Sequence, residues 1–337
     1  MRMTVEEIER AYKSGQLPDI SRNPFELPEL KLHKMFYPLG FPVQVRTNST
    51  EILAIFAELW GMFRKVFKYE PIHVDVYVMD SGSKECPPET KASHSMPYVF
   101  LIADGLNYSF ANLEKNFTKV VVSKAALANK LYLRHHFLYA SPLGHIVTRY
   151  ATPVHAGCVA LGGRGVLLCG DSGAGKSSLS YACARAGWTF VTDDMSLLLN
   201  DGSDRLATGD GTRVRLRPSA AELFPEINGL KVAPRAAGKP SIEMRTSEMS
   251  HVTTATSAAV DFVVFLKRSP EGKAELRPYQ KEVARYYMRQ VLYGPANSLA
   301  MQHQAIERML TAEVLELHYS NLDDAIQRLQ TLTQEGH

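Results

Sequence analysis

Cysteine is scarce in this chain, with only Cys86, Cys158, Cys169 and Cys183 among 337 residues. They form no C-x-x-C pair and have no histidine at zinc spacing. That excludes a disulfide framework and a structural zinc site, and leaves free thiols in a reducing compartment. Surplus charge is also missing. A formal net charge of +3 is too small for a nucleic-acid or membrane surface, both of which need clustered cations. No run approaches the ~18 uninterrupted apolar residues of a membrane helix, since even the stretch 258–266 carries Asp261. The first ten residues read as an acidic helix with Glu6, Glu7 and Glu9 and no apolar core region, so no signal peptide is expected. Internal repeats, low-complexity tracts and the L-S-G-G-Q signature of transporter ATPases are absent too. The expectation is a cytoplasmic protein with no nucleic-acid and no membrane partner.

What is present is ordinary globular material, 45% hydrophobic and 22% charged, in a chain too long for one core of usual size. Two domains are expected, residues 1–148 and 149–337. Up to about residue 35 the segment reads as peripheral, with Pro18, Pro24 and Pro28 breaking any long helix. Strand-like alternation follows over 41–46, 73–79, 97–103, 107–111 and 117–122, with a polar loop or hairpin tip over 81–95. A helix with an Ile52, Ile55, Phe56 and Leu59 stripe is predicted after Asn48, which reads as its cap with Glu51 as capping-box partner. Another helix is predicted over 123–139, and His135 and His136 read as ordinary residues of it. This first block is α+β and carries no recognisable chemical motif.

From residue 154 the texture changes. An apolar strand over 154–161, a glycine turn, a strand over 166–169, a loop, and a helix over 176–186 ended by Gly187 follow one another closely. Gly170, Asp171, Ser172, Gly173, Ala174, Gly175, Lys176 and Ser177 fit G-x-x-x-x-G-K-[ST] at every fixed position, with Ser178 next in the helix. The glycines allow backbone N–H groups to turn inward around phosphate oxygens, and the helix N-terminus adds partial positive charge. In such loops the lysine reaches the β- and γ-phosphates and the serine hydroxyl ligates Mg²⁺. ATP and Mg²⁺ are therefore the expected ligands.

Asp193 and Asp194 end the strand that directly follows the loop helix. A single short helix returns the chain, so both should lie beside the phosphates. Two carboxylates there suit two roles, one on Mg²⁺ and one accepting the proton of an attacking hydroxyl.

His155, the loop and the Asp193–Asp194 pair together resemble the catalytic domain of HPr kinase/phosphorylase. The resemblance is good over residues 153–199 and loose beyond. It implies a compact α/β nucleotide domain like that of PEP carboxykinase, with a mixed sheet, preceded here by a smaller α+β domain. It also implies roles. Asp193 would take the proton from the acceptor, Asp194 and Ser177 would bind Mg²⁺, Lys176 would hold the transferred phosphate, and His155 would assist or orient Asp193. The family's second signature, E-I-R-G-L-G-I, is broken here to Glu226-Ile227-Asn228-Gly229-Leu230-Lys231-Val232, which puts acceptor identity and phosphorolysis in question.

Arg213, Arg215 and Arg217 alternate, so a strand would place them on one face, either gripping an anion or facing solvent. Arg235 and Lys239 lie in a Gly/Pro/Ala-rich loop that reads as a mobile surface loop, with a lid over the nucleotide as the alternative, and Tyr286 and Tyr287 read as core packing. Strands are further expected over 212–217, 260–267, 273–279 and 314–319, with a last helix capped by Asn321. The expected activity is phosphate transfer from ATP to a Ser or Thr hydroxyl of a protein or peptide. A small-molecule hydroxyl acceptor is the near variant, and a nucleotide-dependent switch or ATPase is the alternative. A homo-oligomer is compatible with all of these.

Overall fold

Apolar residues at alternate positions build the first sheet, because successive side chains of a strand point to opposite faces. In Val43–Thr47 and Ile72–Met79 the inward set, Val43, Val45, Ile72, Val74 and Val76, is fully buried. The two strands run parallel, so the chain must cross over between them. It does so through the helix Thr50–Trp60, whose Ile52, Ile55, Phe56 and Leu59 stripe closes the core. The computed structural model describes residues 4–15, 27–202, 204–233 and 240–335.

Several expectations need correction here. Asn48 does not cap the crossover helix; its amide group exchanges hydrogen bonds with both backbone groups of Val78, tying two segments of the sheet together. Ser49 holds the N-cap position, and its hydroxyl donates to Glu51. The stretch read as peripheral contains an edge strand, Leu32–Phe36, and the polar stretch read as a loop contains another, Lys91–Ser95. Both sit at sheet edges, where exposed polar side chains are tolerated. The helix expected over 123–139 is interrupted at Asn129 and then continues, with wider turns, to Tyr150. In one of those turns Tyr139 donates its N–H to the carbonyl of Arg134.

Among the described residues the second sheet has ten strands around the long strand Ser257–Arg268, with Arg164–Cys169 and Glu313–Tyr319 parallel to it on either side. Gly157–Leu161 pairs antiparallel with Arg164–Cys169, as Thr189–Thr192 does with Gly157–Leu161. The architecture is mixed α/β, with parallel and antiparallel neighbours in both sheets.

Helices cover both faces of the second sheet. In the strand Arg164–Cys169, Val166 and Leu168 face the loop helix Lys176–Arg185 and the last helix Leu322–Glu335. Leu167 and Cys169 face the helices Lys281–Arg289 and Ala296–Met309. The two sheets are not insulated from one another, because Leu197 and Leu199 of the second pack into the core of the first. None of the described helices is long and apolar enough to cross a membrane.

Candidate active site

The loop between Arg164–Cys169 and Lys176–Arg185 has the backbone its glycines permit. Gly170 and Gly175 take φ of +141° and +100°, in the left-handed half of the map that other residues avoid. A Cβ at Gly175 would also collide with the hydroxyl of Tyr319. Lys176, 6% exposed, folds its ammonium back into the loop and donates to the carbonyls of Gly170 at 2.6 Å and Asp171 at 3.1 Å. Burial lowers its pKa, and the charge of Asp194 opposes that shift. The Ser177 hydroxyl, one residue on, donates to the backbone carbonyl of Asp193 at 3.3 Å. Loop and aspartate pair are thus in direct contact.

The apolar run 154–161 is not one strand. The chain turns at His155 and Ala156, leaving Ala151–Val154 paired with Ser196–Leu199 and Gly157–Leu161 in the centre of the sheet. His155 therefore stands on a turn at the cavity wall, where it is free of strand pairing. Its Nδ1 lies 3.4 Å from Oδ1 of Asp194, so it faces Asp194 and not Asp193. Burial lowers its pKa, Lys176 lowers it further, and Asp194 opposes both.

The two aspartates have opposite surroundings. Asp194 has a half-exposed side chain. Asp193 is 1% exposed, and its Oδ2 accepts the backbone N–H of Arg215 at 2.9 Å. Burial pushes its carboxyl up to about 7, against the hydrogen bond and charge of Arg215. The ribbon Arg213–Leu216 with Ile242–Arg245 provides that cover. Arg213 and Arg215 share one face as expected, and neither lies free in water. Both are held by Asp210 and Glu243 at 3.4–3.5 Å. Arg217, beyond the ribbon, donates to the Ser172 hydroxyl at 3.0 Å.

His155, Lys176, Ser177, both aspartates, Arg215 and Arg217 line one cavity of about 470 Å³, together with Gly173, Gly175, Ser178 and Arg268. Among the described residues no cluster of three or more His, Cys, Asp or Glu side chains could hold a metal ion by itself. A hard cation bound with a nucleotide needs less, because one or two carboxylates share it with phosphate oxygens. The Ser177 hydroxyl and the Asp194 carboxylate supply oxygen donors of that kind at the cavity wall.

Sequence reasoning missed two tyrosines. Tyr287 packs against the core as expected, and its hydroxyl also lies on the first residue of the loop, 2.7 Å from the Gly170 carbonyl oxygen. Its neighbour Tyr286 is 75% exposed and packs in no core. Tyr319 donates to the carbonyl of Ala174 at 2.8 Å. A tyrosine in a helix or strand carries no local sign that its hydroxyl is used; only the position of the loop supplies that. In the broken second signature, Glu226 accepts from Tyr181 and pairs with Arg185, both on the loop helix, at 3.1 and 3.2 Å. Arg235 and Lys239, read as a surface loop with a lid as the alternative, lie outside the described residues, as do Pro18 and Pro24.

No protein-family model matches this chain, and no curated protein matches it. Among solved structures, the Hpr(Ser) kinase/phosphatase from Coxiella burnetii aligns over 55% of this chain and 99% of its own, at 14% identity and a TM-score of 0.29. A likeness at that level carries no functional weight, and the geometry of the cavity must do so.

Proposed function

We propose that this chain is an HPr-kinase-like phosphotransferase that uses ATP and Mg²⁺ and phosphorylates a hydroxyl of a protein, peptide or small molecule. The observation that carries the reading is the contact between Ser177 and Asp193, which joins a phosphate-type loop to a carboxylate pair inside one cavity. Residues 170–178, from Gly170 to Ser178, would hold the phosphates through backbone N–H groups and Lys176. Ser177 and Asp194 would hold Mg²⁺, which neutralises charge on the phosphates when bound. His155 would orient Asp194 through the 3.4 Å contact, as partners of metal-binding carboxylates do.

Asp193 would accept the acceptor's proton as the new O–P bond forms and the bond to the ADP oxygen breaks. Burial pushes its carboxyl up to about 7, where a general base works best at neutral pH. A second assignment is favoured by exposure. Asp194 is the more open carboxylate and has His155 beside it, so it could take the proton and leave Asp193 a positioning role. We further propose residues 149–337 as the catalytic unit and residues 1–148 as a separate α+β domain packed on it, supported by the two distinct sheets.

The test is transfer of labelled phosphate from ATP to a panel of proteins, peptides and free hydroxyl compounds, by wild type and by Asp193→Asn. Transfer by wild type that the variant loses supports the reading. Nucleotide hydrolysis with no labelled acceptor across the panel would turn the reading toward a nucleotide switch.

A further inference from the structure

We propose that Tyr287 and Tyr319 are positioning residues of the phosphate loop, each fixing one end of it through its hydroxyl. The proposal rests on the reading of residues 170–177 as the phosphate site.

The two tyrosines come from elements far along the chain. Tyr287 lies on the helix Lys281–Arg289, and its ring packs edge-on against Phe265 at 5.2 Å. That contact delivers the hydroxyl to the point where the strand Arg164–Cys169 becomes the loop. There the oxygen lies 2.7 Å from the carbonyl of Gly170 and 2.8 Å from the carbonyl of His155, and it accepts the Gly170 N–H at 3.2 Å. Its single proton is shared between the two carbonyls. Tyr319 ends the strand Glu313–Tyr319, is 1% exposed, and donates to Ala174 just before the helix begins. Burial pushes both phenols up to about 12, so each stays a protonated donor at neutral pH.

The consequence follows from peptide geometry. A peptide unit is planar and trans, so its carbonyl and the next N–H point in opposite directions. Holding the Gly170 carbonyl fixes the direction of the Asp171 N–H, and holding the Ala174 carbonyl fixes that of Gly175. A phosphate loop works by aiming such N–H groups at an anion, and its carbonyls must find partners elsewhere. Lys176 takes the Gly170 and Asp171 carbonyls as well, but its ammonium is also the group a phosphate would draw away. The tyrosines can stay in place when that happens. Tyr287 does one thing more, because the same hydroxyl ties the loop to His155, and through it to Asp194.

Tyr287→Phe and Tyr319→Phe keep both rings and remove only the hydroxyls. In the unliganded protein, amide exchange at Gly170, whose N–H donates to the Tyr287 hydroxyl, should rise about fivefold in Tyr287→Phe, the loss expected for one ordinary hydrogen bond. The rise should stay within the loop, with melting temperature nearly unchanged. MgADP affinity by calorimetry should weaken by about the same factor. Tyr287→Phe alone should also raise the Mg²⁺ concentration at half-maximal ATP turnover. Unchanged loop exchange and unchanged affinity in both variants would overturn the proposal, as would a fall in melting temperature with faster exchange throughout the chain. Lys176→Met separates the two layers of inference. If it weakens MgADP binding about 10- to 100-fold while both Phe variants match wild type, the pinning is wrong and the nucleotide site stands. If wild type binds no nucleotide but loop exchange still rises in Tyr287→Phe, the pinning stands and the nucleotide reading falls.

Discussion

Nδ1 of His155 lies 3.4 Å from Oδ1 of Asp194, while the adjacent Asp193 turns inward and accepts the backbone N–H of Arg215 at 2.9 Å. Both residues follow the strand Thr189–Thr192 on a bend and line one cavity, but their surroundings differ. One is left in the open cavity with a histidine and the other beneath a ribbon. Each environment leads to a different measurement.

Asp194 and His155 form the metal side of the proposal. Asp194→Asn should raise the Mg²⁺ concentration needed for activity, and His155→Ala should raise it less, within the roughly 10- to 100-fold range of lost metal partners. A Mg²⁺ titration of turnover checks both. If Asp194→Asn instead abolishes transfer at saturating Mg²⁺ with MgATP affinity intact, Asp194 is the proton acceptor and the roles exchange.

For Asp193 the expected loss is in chemistry. Asp193→Asn should lower transfer about 10²–10⁴-fold while MgATP affinity changes little. Wild-type turnover should rise with pH through about 7, where the buried carboxyl loses its proton. A variant that transfers phosphate at the wild-type rate would remove Asp193 from the mechanism.

The same carboxyl carries a stability signature. Its folded pKa of about 7 exceeds the ordinary value of 3.8, so the folded state binds the proton more tightly. That contribution is complete below about 4 and is lost as pH rises toward 7, at up to about 1.4 kcal/mol per pH unit. Melting temperature measured from pH 4 to 8 should show a decline over this window that Asp193→Asn flattens. A parallel decline in the variant would assign the pH dependence to other groups.

Lys176 should dominate nucleotide affinity. Lys176→Met keeps the buried stem and removes the charge, so MgATP binding should weaken about 10- to 100-fold, the range for hydrogen bonds made by charged groups. Calorimetry decides it, and equal affinity would place the nucleotide elsewhere.

The thiols offer a check on packing. Cys86 is exposed, whereas Cys158, Cys169 and Cys183 are buried, and burial pushes the Cys158 thiol up to about 12 and the other two higher still. Alkylation of the native protein should modify one cysteine promptly, and all four only after unfolding. Rapid labelling of a second thiol in the native state would contradict the packed faces of the second sheet.

The sequence by itself determined what neighbouring residues decide. The glycine-rich loop over residues 170–177, its helix ended by Gly187 at φ +88°, and the buried stripe of Thr50–Trp60 all follow from spacings of a few residues. So does the last helix, where the Asn321 side chain caps Asp324 at 2.9 Å. Turn chemistry, capping and periodicity act within one or two turns of chain, so the residues themselves announce them. Only the tertiary structure decided the rest. Asn48 has the chemistry of a cap, but Val78, 30 residues on, offers both backbone groups and takes it. Asp193 and Asp194 are indistinguishable as letters, and the ribbon that buries one of them lies 22 residues downstream. His155 was legible as a residue near the loop, but its partner depended on a break between two strands that pair in different places. Tyr287 reaches Gly170 across 117 residues. Burial and long-range hydrogen bonds depend on which surfaces meet, and no local pattern contains that.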